Sequence, residues 1–206
     1  QAVCSQEKED AGNDISKTSF PECELLAVMA VALVAAAPAD VVGAPGRPEA
    51  MVALDAGRKP AEVLAHSLIR PGARVMDVMA GQGYYTELLA RHVGPKGKVY
   101  AVTNPAPANA ATPPAIFGIA ADPQYGNITV SQTGIANFTL PEQVDVFWTA
   151  QNYHDLHLSI APADTASRVN AAVFQALKPG GLYVVVDHHA VAGSPLTASN
   201  TVHRID

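Results

Sequence analysis

The fold of this chain is decided by VMDVMAGQGYYT, residues 75–86 of 206. The run begins with apolar residues that alternate around Asp77, a pattern typical of a buried strand. It continues through the turn Gly81-Gln82-Gly83 into TELLAR, residues 86–91, which is helical in character. A strand, a glycine turn and a helix bring backbone N–H groups and a helix N-terminus up to a ligand in α/β proteins. Because short glycine patterns also occur in turns that bind nothing, this stretch alone leaves ligand binding open.

Composition and charge limit the classes of protein that this chain can represent. The length suits one domain with an appendage, and 49% hydrophobic against 16% charged residues argues against global disorder. The net charge is −6 and no Lys/Arg cluster is present, so we expect no nucleic-acid partner. Cys4 and Cys23 form no CxxC pair, which gives metal or redox use of the cysteines little support.

The first 57 residues divide into three segments. Residues 1–24 are polar and acidic, and we predict a flexible segment. Residues 25–39 are apolar and end in small residues, like the core and cleavage region of an export signal, but are too short for a stable membrane span of ~20 residues. Because of this signal-like segment, we expect a periplasmic or secreted protein. The acidic residues before the segment count against an export signal, which leaves a cytoplasmic protein as the alternative. Gly and Pro punctuate residues 40–57, which predicts a linker.

From residue 58 onward, strand and helix patterns alternate. The predicted strands are 75–79, 98–102, 127–130, 144–149 and 182–186, and the predicted helices are 60–69, 86–93, 115–121 and 163–177. The near-continuous apolar run at 182–186 is typical of a strand covered on both faces. The fold class is therefore α/β, with a Rossmann-like, doubly wound, mostly parallel sheet.

The order of these elements resembles the class I S-adenosylmethionine-dependent methyltransferases, over residues 58–206. The two general motifs are VMDVMAGQG (75–83) and LKPGGL (177–182). Four further runs resemble a group of predicted bacterial methyltransferases, many with export signals: RKPAE (58–62), GYYTELLA (83–90), NYHD (152–155) and HRID (203–206).

The resemblance also raises an expectation about the C-terminus. The class I fold continues with a helix and an antiparallel pair of strands, whereas this chain stops soon after its fifth strand. We therefore expect a truncated domain with impaired activity and an uncovered sheet edge at Val184–Val186. Such an edge invites pairing with another chain, which predicts a homo-oligomer.

The resemblance implies a set of cofactor-binding residues. Asp77 would anchor the amino end of S-adenosylmethionine, and the residues of the glycine turn would let the backbone wrap around it. The second strand should end in an acidic residue for the ribose hydroxyls, but Asn104 stands there and offers only neutral hydrogen bonds. The cofactor set is Asp77, Ala80, Gly81, Gln82, Gly83, Asn104, Ile135, Ala136 and Asn152.

The residues after the fourth strand are the catalytic candidates, because ligands bind at the carboxyl ends of strands in open α/β sheets. Methyl transfer to an oxygen or nitrogen is helped by a nearby base, and neutral histidine suits that role near pH 7. His154 with Asp155 is our candidate pair. The alternative is that both residues merely cap the segment that follows.

A metal site was the weaker hypothesis. His154, His157, Asp187, His188 and His189 follow neighbouring strands and could converge on one divalent ion. Their spacing matches no strong zinc pattern, and we expect no metal.

Three functions remain open from the sequence. The first is an S-adenosylmethionine-dependent methyltransferase acting on an unidentified small molecule, and the second is a non-catalytic binding protein that keeps the fold. The third, a nucleotide-linked oxidoreductase, is disfavoured because Thr86 stands where G-x-G-x-x-G requires its third glycine.

Overall fold

A computed structural model describes residues 37–105, 112–133, 135 and 138–206. The segment 1–24, most of the segment 25–39 and Ala136 therefore lie outside the described residues. No helix in the described part of the chain has the length and apolar character needed to cross a membrane.

The described residues form a parallel five-stranded sheet, which confirms the predicted fold class. The strands are β1 (Arg74–Val78), β2 (Lys98–Val102), β3 (Ile128–Ser131), β4 (Val144–Ala150) and β5 (Leu177–Val186). Their order across the sheet is β3-β2-β1-β4-β5, so the chain leaves the central strand in both directions. In the centre of the sheet Met76 pairs with Tyr100 on one side and Phe147 on the other. This order places a reversal beside β1, where α/β sheets bind ligands.

Helices cover both faces of the sheet. They are α1 (Pro38–Gly43), α2 (Glu49–Val52), α3 (Asp55–Arg58), α4 (Pro60–His66), α5 (Tyr84–Val93), α6 (Ala115–Ala121), α7 (Thr165–Ala176) and α8 (Ser199–Val202). Successive strand residues point to opposite faces, so Val75 joins the core beneath α5 and Met76 the core beneath α7.

The predicted helix 60–69 and the predicted strand 182–186 differ from the structure, in which that strand already begins at Leu177. The helix predicted over 60–69 ends at His66, because Leu68 adopts a φ of 58° and is 71% exposed. The strand predicted to be buried at 182–186 is only half-buried, and Val185 is 42% exposed, because β5 is the edge strand of the described sheet. Pairing of this edge with another copy stays a prediction.

Residues 40–57 differ from the predicted linker, since they fold as α1, α2 and α3 against the domain. Val41 and Met51 are buried in the core beneath α5. The side chain of Arg47 is also buried, and its Nη1 lies 2.6 Å from Oδ2 of Asp55. This packing was not predictable from the sequence, because the apolar residues are scattered among Gly and Pro without helical spacing.

Candidate functional site

The glycine turn after β1 is held in a left-handed backbone conformation. Met79, Gly81 and Gly83 have φ angles of 56°, 58° and 93°. The N–H of Ala80 donates to the carbonyl of Val102 at 3.0 Å, which fixes the turn to the end of β2. The turn therefore presents its backbone at the carboxyl edge of the sheet, beside the N-terminus of α5.

Gly83 is required by space as well as by φ. A Cβ built at this position would lie 3.0 Å from Cγ1 of Ile116 and 3.2 Å from its Cα. Gly83 is also the residue that precedes α5, where it lets the chain turn from the loop into the helix. Its role is to allow α6 to approach the turn, and it does not border the cavity described next.

A cavity of about 290 Å³ opens above the carboxyl ends of β1 and β4. Five of the predicted cofactor residues line it: Asp77, Ala80, Gly81, Gln82 and Asn152. The structure thus brings together residues that are up to 75 positions apart in the sequence, because β1 and β4 are neighbours in the sheet.

Asp77 is the acidic residue among the described residues that line this cavity, and it is only 3% exposed. The hydroxyl of Thr86 donates to its Oδ2 at 2.6 Å, and no other described residue hydrogen-bonds to the carboxylate. Burial raises the pKa of Asp77 to about 7, against the opposing effect of the Thr86 hydrogen bond. A buried carboxylate with a free oxygen at a cavity is suited to bind a positively charged group.

Asn152 and Gln82 fix the walls of the cavity. The amide nitrogen Nδ2 of Asn152 donates to the carbonyls of Met79 at 3.1 Å and Ala150 at 2.6 Å, which joins the glycine turn to β4. Oε1 of Gln82 accepts a 2.8 Å hydrogen bond from the N–H of Ala115. The cavity shape therefore depends on side-chain amides as well as on the turn.

Several cavity residues were missed by the sequence analysis: Met51, Leu54, Arg58, Tyr84 and Tyr85. Met51 and Leu54 come from the segment taken to be a linker, and nothing in their spacing indicated a role. Tyr84 and Tyr85 belong to the run GYYTELLA (83–90), which carried the family resemblance, so their position at the cavity could have been predicted. The guanidinium carbon of Arg58 lies 4.3 Å from the ring centroid of Tyr84, so a positive charge stands at the rim.

Other predicted cofactor residues lie away from this cavity. Asn104 is exposed at the end of β2 and does not line it. Ile135 lines a separate cavity of about 270 Å³ beside α7, together with Thr165 and Val169. Their roles stay predictions.

The catalytic candidates His154 and Asp155 do follow β4, but neither lines the cavity with Asp77. His154 is 4% exposed. Its Nδ1 lies 2.8 Å from Oδ1 of Asp187, and its backbone N–H donates to Oδ2 of the same carboxylate at 2.8 Å. On the other side of the ring, Nε2 lies 3.3 Å from Oδ1 of Asp155. Both residues thus belong to a polar cluster with Asp187, which follows β5, and their catalytic roles stay predictions.

No family model and no curated protein matches the chain, but solved structures do. The complex named DhpI-SAM-HEP is 22% identical with a TM-score of 0.50, covering 67% of this chain and 56% of that one. A SAM dependent methyltransferase from Aquifex aeolicus is 23% identical with a TM-score of 0.53, covering 74% and 80%. A cyclopropane-fatty-acyl-phospholipid synthase-like protein from Lactobacillus casei ATCC 334 is 17% identical with a TM-score of 0.55, covering 74% and 57%.

These similarities define the fold. The chain has the Rossmann-like α/β fold of the S-adenosylmethionine-dependent methyltransferases, as the motifs at 75–83 and 177–182 predicted. It spans little more than half the length of the DhpI structure and of the Lactobacillus casei structure.

Proposed function

We propose that this chain binds S-adenosylmethionine in the cavity above β1 and β4 and transfers its methyl group to a small molecule. The observation that carries the proposal is the buried Asp77, whose carboxylate borders the cavity and accepts a hydrogen bond at one oxygen only from the described residues. A fold-level likeness does not by itself imply an activity, whereas a buried carboxylate at a cavity is a specific feature of this site.

The charges of the cavity fit the amino-acid end of the cofactor. Asp77 would accept hydrogen bonds from the ammonium group, and Arg58 at the rim would bind the carboxylate. When bound, S-adenosylmethionine supplies an activated methyl group on a sulfonium. The protein would hold the ammonium and carboxylate groups of the cofactor in one orientation. Such positioning of the reacting molecules is a large part of what a transfer between them requires.

The names of the similar structures support the same cofactor. One is a complex that contains SAM, and another is a SAM dependent methyltransferase. Their low identity leaves the acceptor of this chain undetermined. His154 remains our candidate base for the acceptor, held by Asp187, and this role requires an acceptor that reaches beyond Asn152.

Isothermal titration with S-adenosylhomocysteine tests the cofactor proposal. We expect one molecule bound per chain, with affinity reduced at least tenfold in Asp77→Asn. Asp40→Asn is a matched control, because Asp40 is an exposed aspartate of α1 that does not border the cavity. No heat at a saturating concentration, or equal binding by both variants, would overturn the proposal.

A second candidate function is a binding protein that keeps the cofactor site but not the transfer. Two observations favour it: Asn104 is neutral and exposed where an acid is expected, and His154 does not border the cavity. The signal-like segment 25–39 agrees with it, since the cofactor is made in the cytoplasm. Cofactor binding without transfer of a labelled methyl group to any of a broad set of small-molecule acceptors would favour this function.

A further inference from the structure

Three separate parts of the chain bring ionisable side chains together beside the carboxyl end of β4. His154 and Asp155 follow β4, Asp187 follows β5, and His203 follows α8. The ring centroids of His154 and His203 are 5.5 Å apart. These four residues form what we call the histidine–aspartate cluster, and none of them lines the cofactor cavity. Binding of a metal ion at Nε2 of His154 would replace the role of that residue as a base and would leave the cofactor site unchanged.

The C-terminal residues are held in place by hydrogen bonds. The N–H of Ala190 donates to the carbonyl of Ile205 at 2.8 Å, and the N–H of Ile205 donates to the carbonyl of His188 at 3.0 Å. Oδ1 of Asn200 accepts from the N–H of Ser159 at 2.8 Å. The position of His203 beside His154 is therefore set by the fold.

We propose that His154, Asp155 and His203 bind one divalent transition-metal ion, for which Zn²⁺ is the best match. One ligand atom from each of His154, Asp155 and His203 lies within 4.8 Å of the other two. The Asp155 oxygen is 3.3 Å from the His154 nitrogen and 3.9 Å from the His203 nitrogen. In a tetrahedral zinc site with bonds of about 2.0–2.1 Å, neighbouring ligand atoms are about 3.3–3.5 Å apart.

Hydrogen bonding leaves the correct nitrogen of His154 available. The carboxylate of Asp187 can only accept a hydrogen bond, so the proton of a neutral His154 ring lies on Nδ1. The lone pair of Nε2 then faces Oδ1 of Asp155, which is another acceptor. A positive centre between these two atoms removes their repulsion. A carboxylate that orients a histidine in this way is a recurring partner of metal ligands.

The charge of the cluster favours a divalent ion over a single proton. Asp155 and Asp187 carry two negative charges, and no lysine or arginine of the described residues lies within 4.0 Å of either one. Protonation of His154 alone leaves one negative charge uncompensated, whereas a divalent cation balances both. Protonation of both histidines is the competing state, and the experiment below separates the two.

The site would keep an accessible position. The side chains of Asp155 and His203 are 31% and 63% exposed, whereas those of His154 and Asp187 are each 5% exposed. Three protein ligands with an open side are typical of sites that bind water or a further ligand. Histidine nitrogen and aspartate oxygen are both established ligands of Zn²⁺.

Titration of the full chain with Co²⁺ tests the proposal, because tetrahedral Co²⁺ has visible absorption bands. Added Zn²⁺ should displace the Co²⁺ ion and abolish these bands. We expect one equivalent to bind, with a rise in Tm on metal binding. His203→Ala and Asp155→Asn should each lose both signals. Asp187→Asn should keep the stoichiometry but bind about 10–100-fold more weakly, as losses of such orienting partners do.

Two controls make the outcome decisive. His189→Ala should behave like the wild type, because His189 is 76% exposed and lies outside the cluster. Cys4→Ser/Cys23→Ser should also keep the bands, which excludes binding by the cysteines. Absence of bands and of a Tm shift in the wild type would overturn the proposal. Bands of equal strength in His203→Ala would overturn it as well, and either result would leave S-adenosylhomocysteine binding untouched.

Discussion

The hydroxyl of Thr86 donates a 2.6 Å hydrogen bond to Oδ2 of Asp77, from the first turn of α5 to the end of β1. This bond favours the charged carboxylate, yet burial outweighs it and raises the pKa of Asp77 to about 7. Ionised Asp77 is therefore unfavourable in the folded, unliganded protein. A bound cation would relieve this cost. Asp77 should therefore lower the stability of the unliganded protein and raise its affinity for the cofactor.

Asp77→Asn should stabilise the unliganded protein increasingly as the pH rises. The folded protein holds the Asp77 proton up to about pH 7, whereas an unfolded aspartate loses it near its ordinary pKa of about 3.9. Stability contributed by Asp77 thus falls as the pH rises between these values and levels off above about pH 7. From about pH 5.5 to about pH 8.5, the advantage of the variant in unfolding free energy should grow by about 2 kcal/mol. Urea denaturation at the two pH values measures it.

Asp40→Asn serves as the control for this pH dependence, since Asp40 is exposed and should show no such trend. A constant difference between Asp77→Asn and the wild type across the range would contradict the raised pKa.

Cofactor binding should depend on pH in the opposite direction to the stability of the unliganded protein. The affinity of the wild type for S-adenosylhomocysteine should increase as the pH rises through about 7, as Asp77 ionises.

Arg58→Gln should weaken cofactor binding with little loss of stability. Arg58 lies at the cavity rim, 4.3 Å from the ring of Tyr84, and forms no ion pair within 4.0 Å among the described residues. Loss of a charge-assisted contact to the cofactor carboxylate costs about 1.5–3 kcal/mol, or roughly 10–150-fold in Kd. Titration calorimetry measures the change, and Lys59→Gln is the neighbouring control, as Lys59 does not line the cavity. An equal loss of affinity in both variants would show that the removal of a positive charge, and not a contact of Arg58 with the cofactor, causes the effect.

Gly83→Ala should destabilise the fold by about 2–4 kcal/mol. A φ of 93° is strained for alanine, and the new Cβ would lie 3.0 Å from Cγ1 of Ile116. Gly57→Ala is the matched control, because nothing lies within 4 Å of its Cβ and its φ is not positive. In α3 this change should be neutral or slightly stabilising. Similar denaturation midpoints for the two variants would show that Ile116 moves without cost.

Arg47→Met should destabilise the fold by less than the loss of about 3–5 kcal/mol expected when a buried charge loses its sole partner. Glu87 is 0% exposed, and its Oε2 lies 3.6 Å from Nε of Arg47, whereas Nη2 of Arg91 remains 3.5 Å from its Oε1. Adding Glu87→Gln should recover part of the loss, since the buried carboxylate charge is then removed. Arg74→Met is the control at a surface pair, where Arg74 and Glu142 are 40% and 38% exposed and a much smaller loss is expected. Equal losses at the two sites would show that residues 40–57 are not integral to the domain.

The sequence by itself determined the architecture and one half of the site. The alternation around Asp77, the glycines after it and the spacing of the later apolar runs are local patterns, and β2 and α6 begin and end where those patterns do. Asp77, Ala80, Gly81 and Gln82 were assigned from the resemblance of their motif to the class I methyltransferases, and the structure places all four at the cavity.

Only the tertiary structure decided which distant residues share a site. Met51 of α2 and Arg58 of α3 line the cavity although they precede β1 in the sequence, and His203 reaches His154 because the C-terminal residues return to the end of β5. These contacts depend on long-range packing and buried ion pairs, which leave no periodic signal in the sequence. The same packing separates His154 from the cavity of Asp77, although Asp77 lies near the end of β1 and His154 follows the adjacent β4, because His154 is turned toward Asp187.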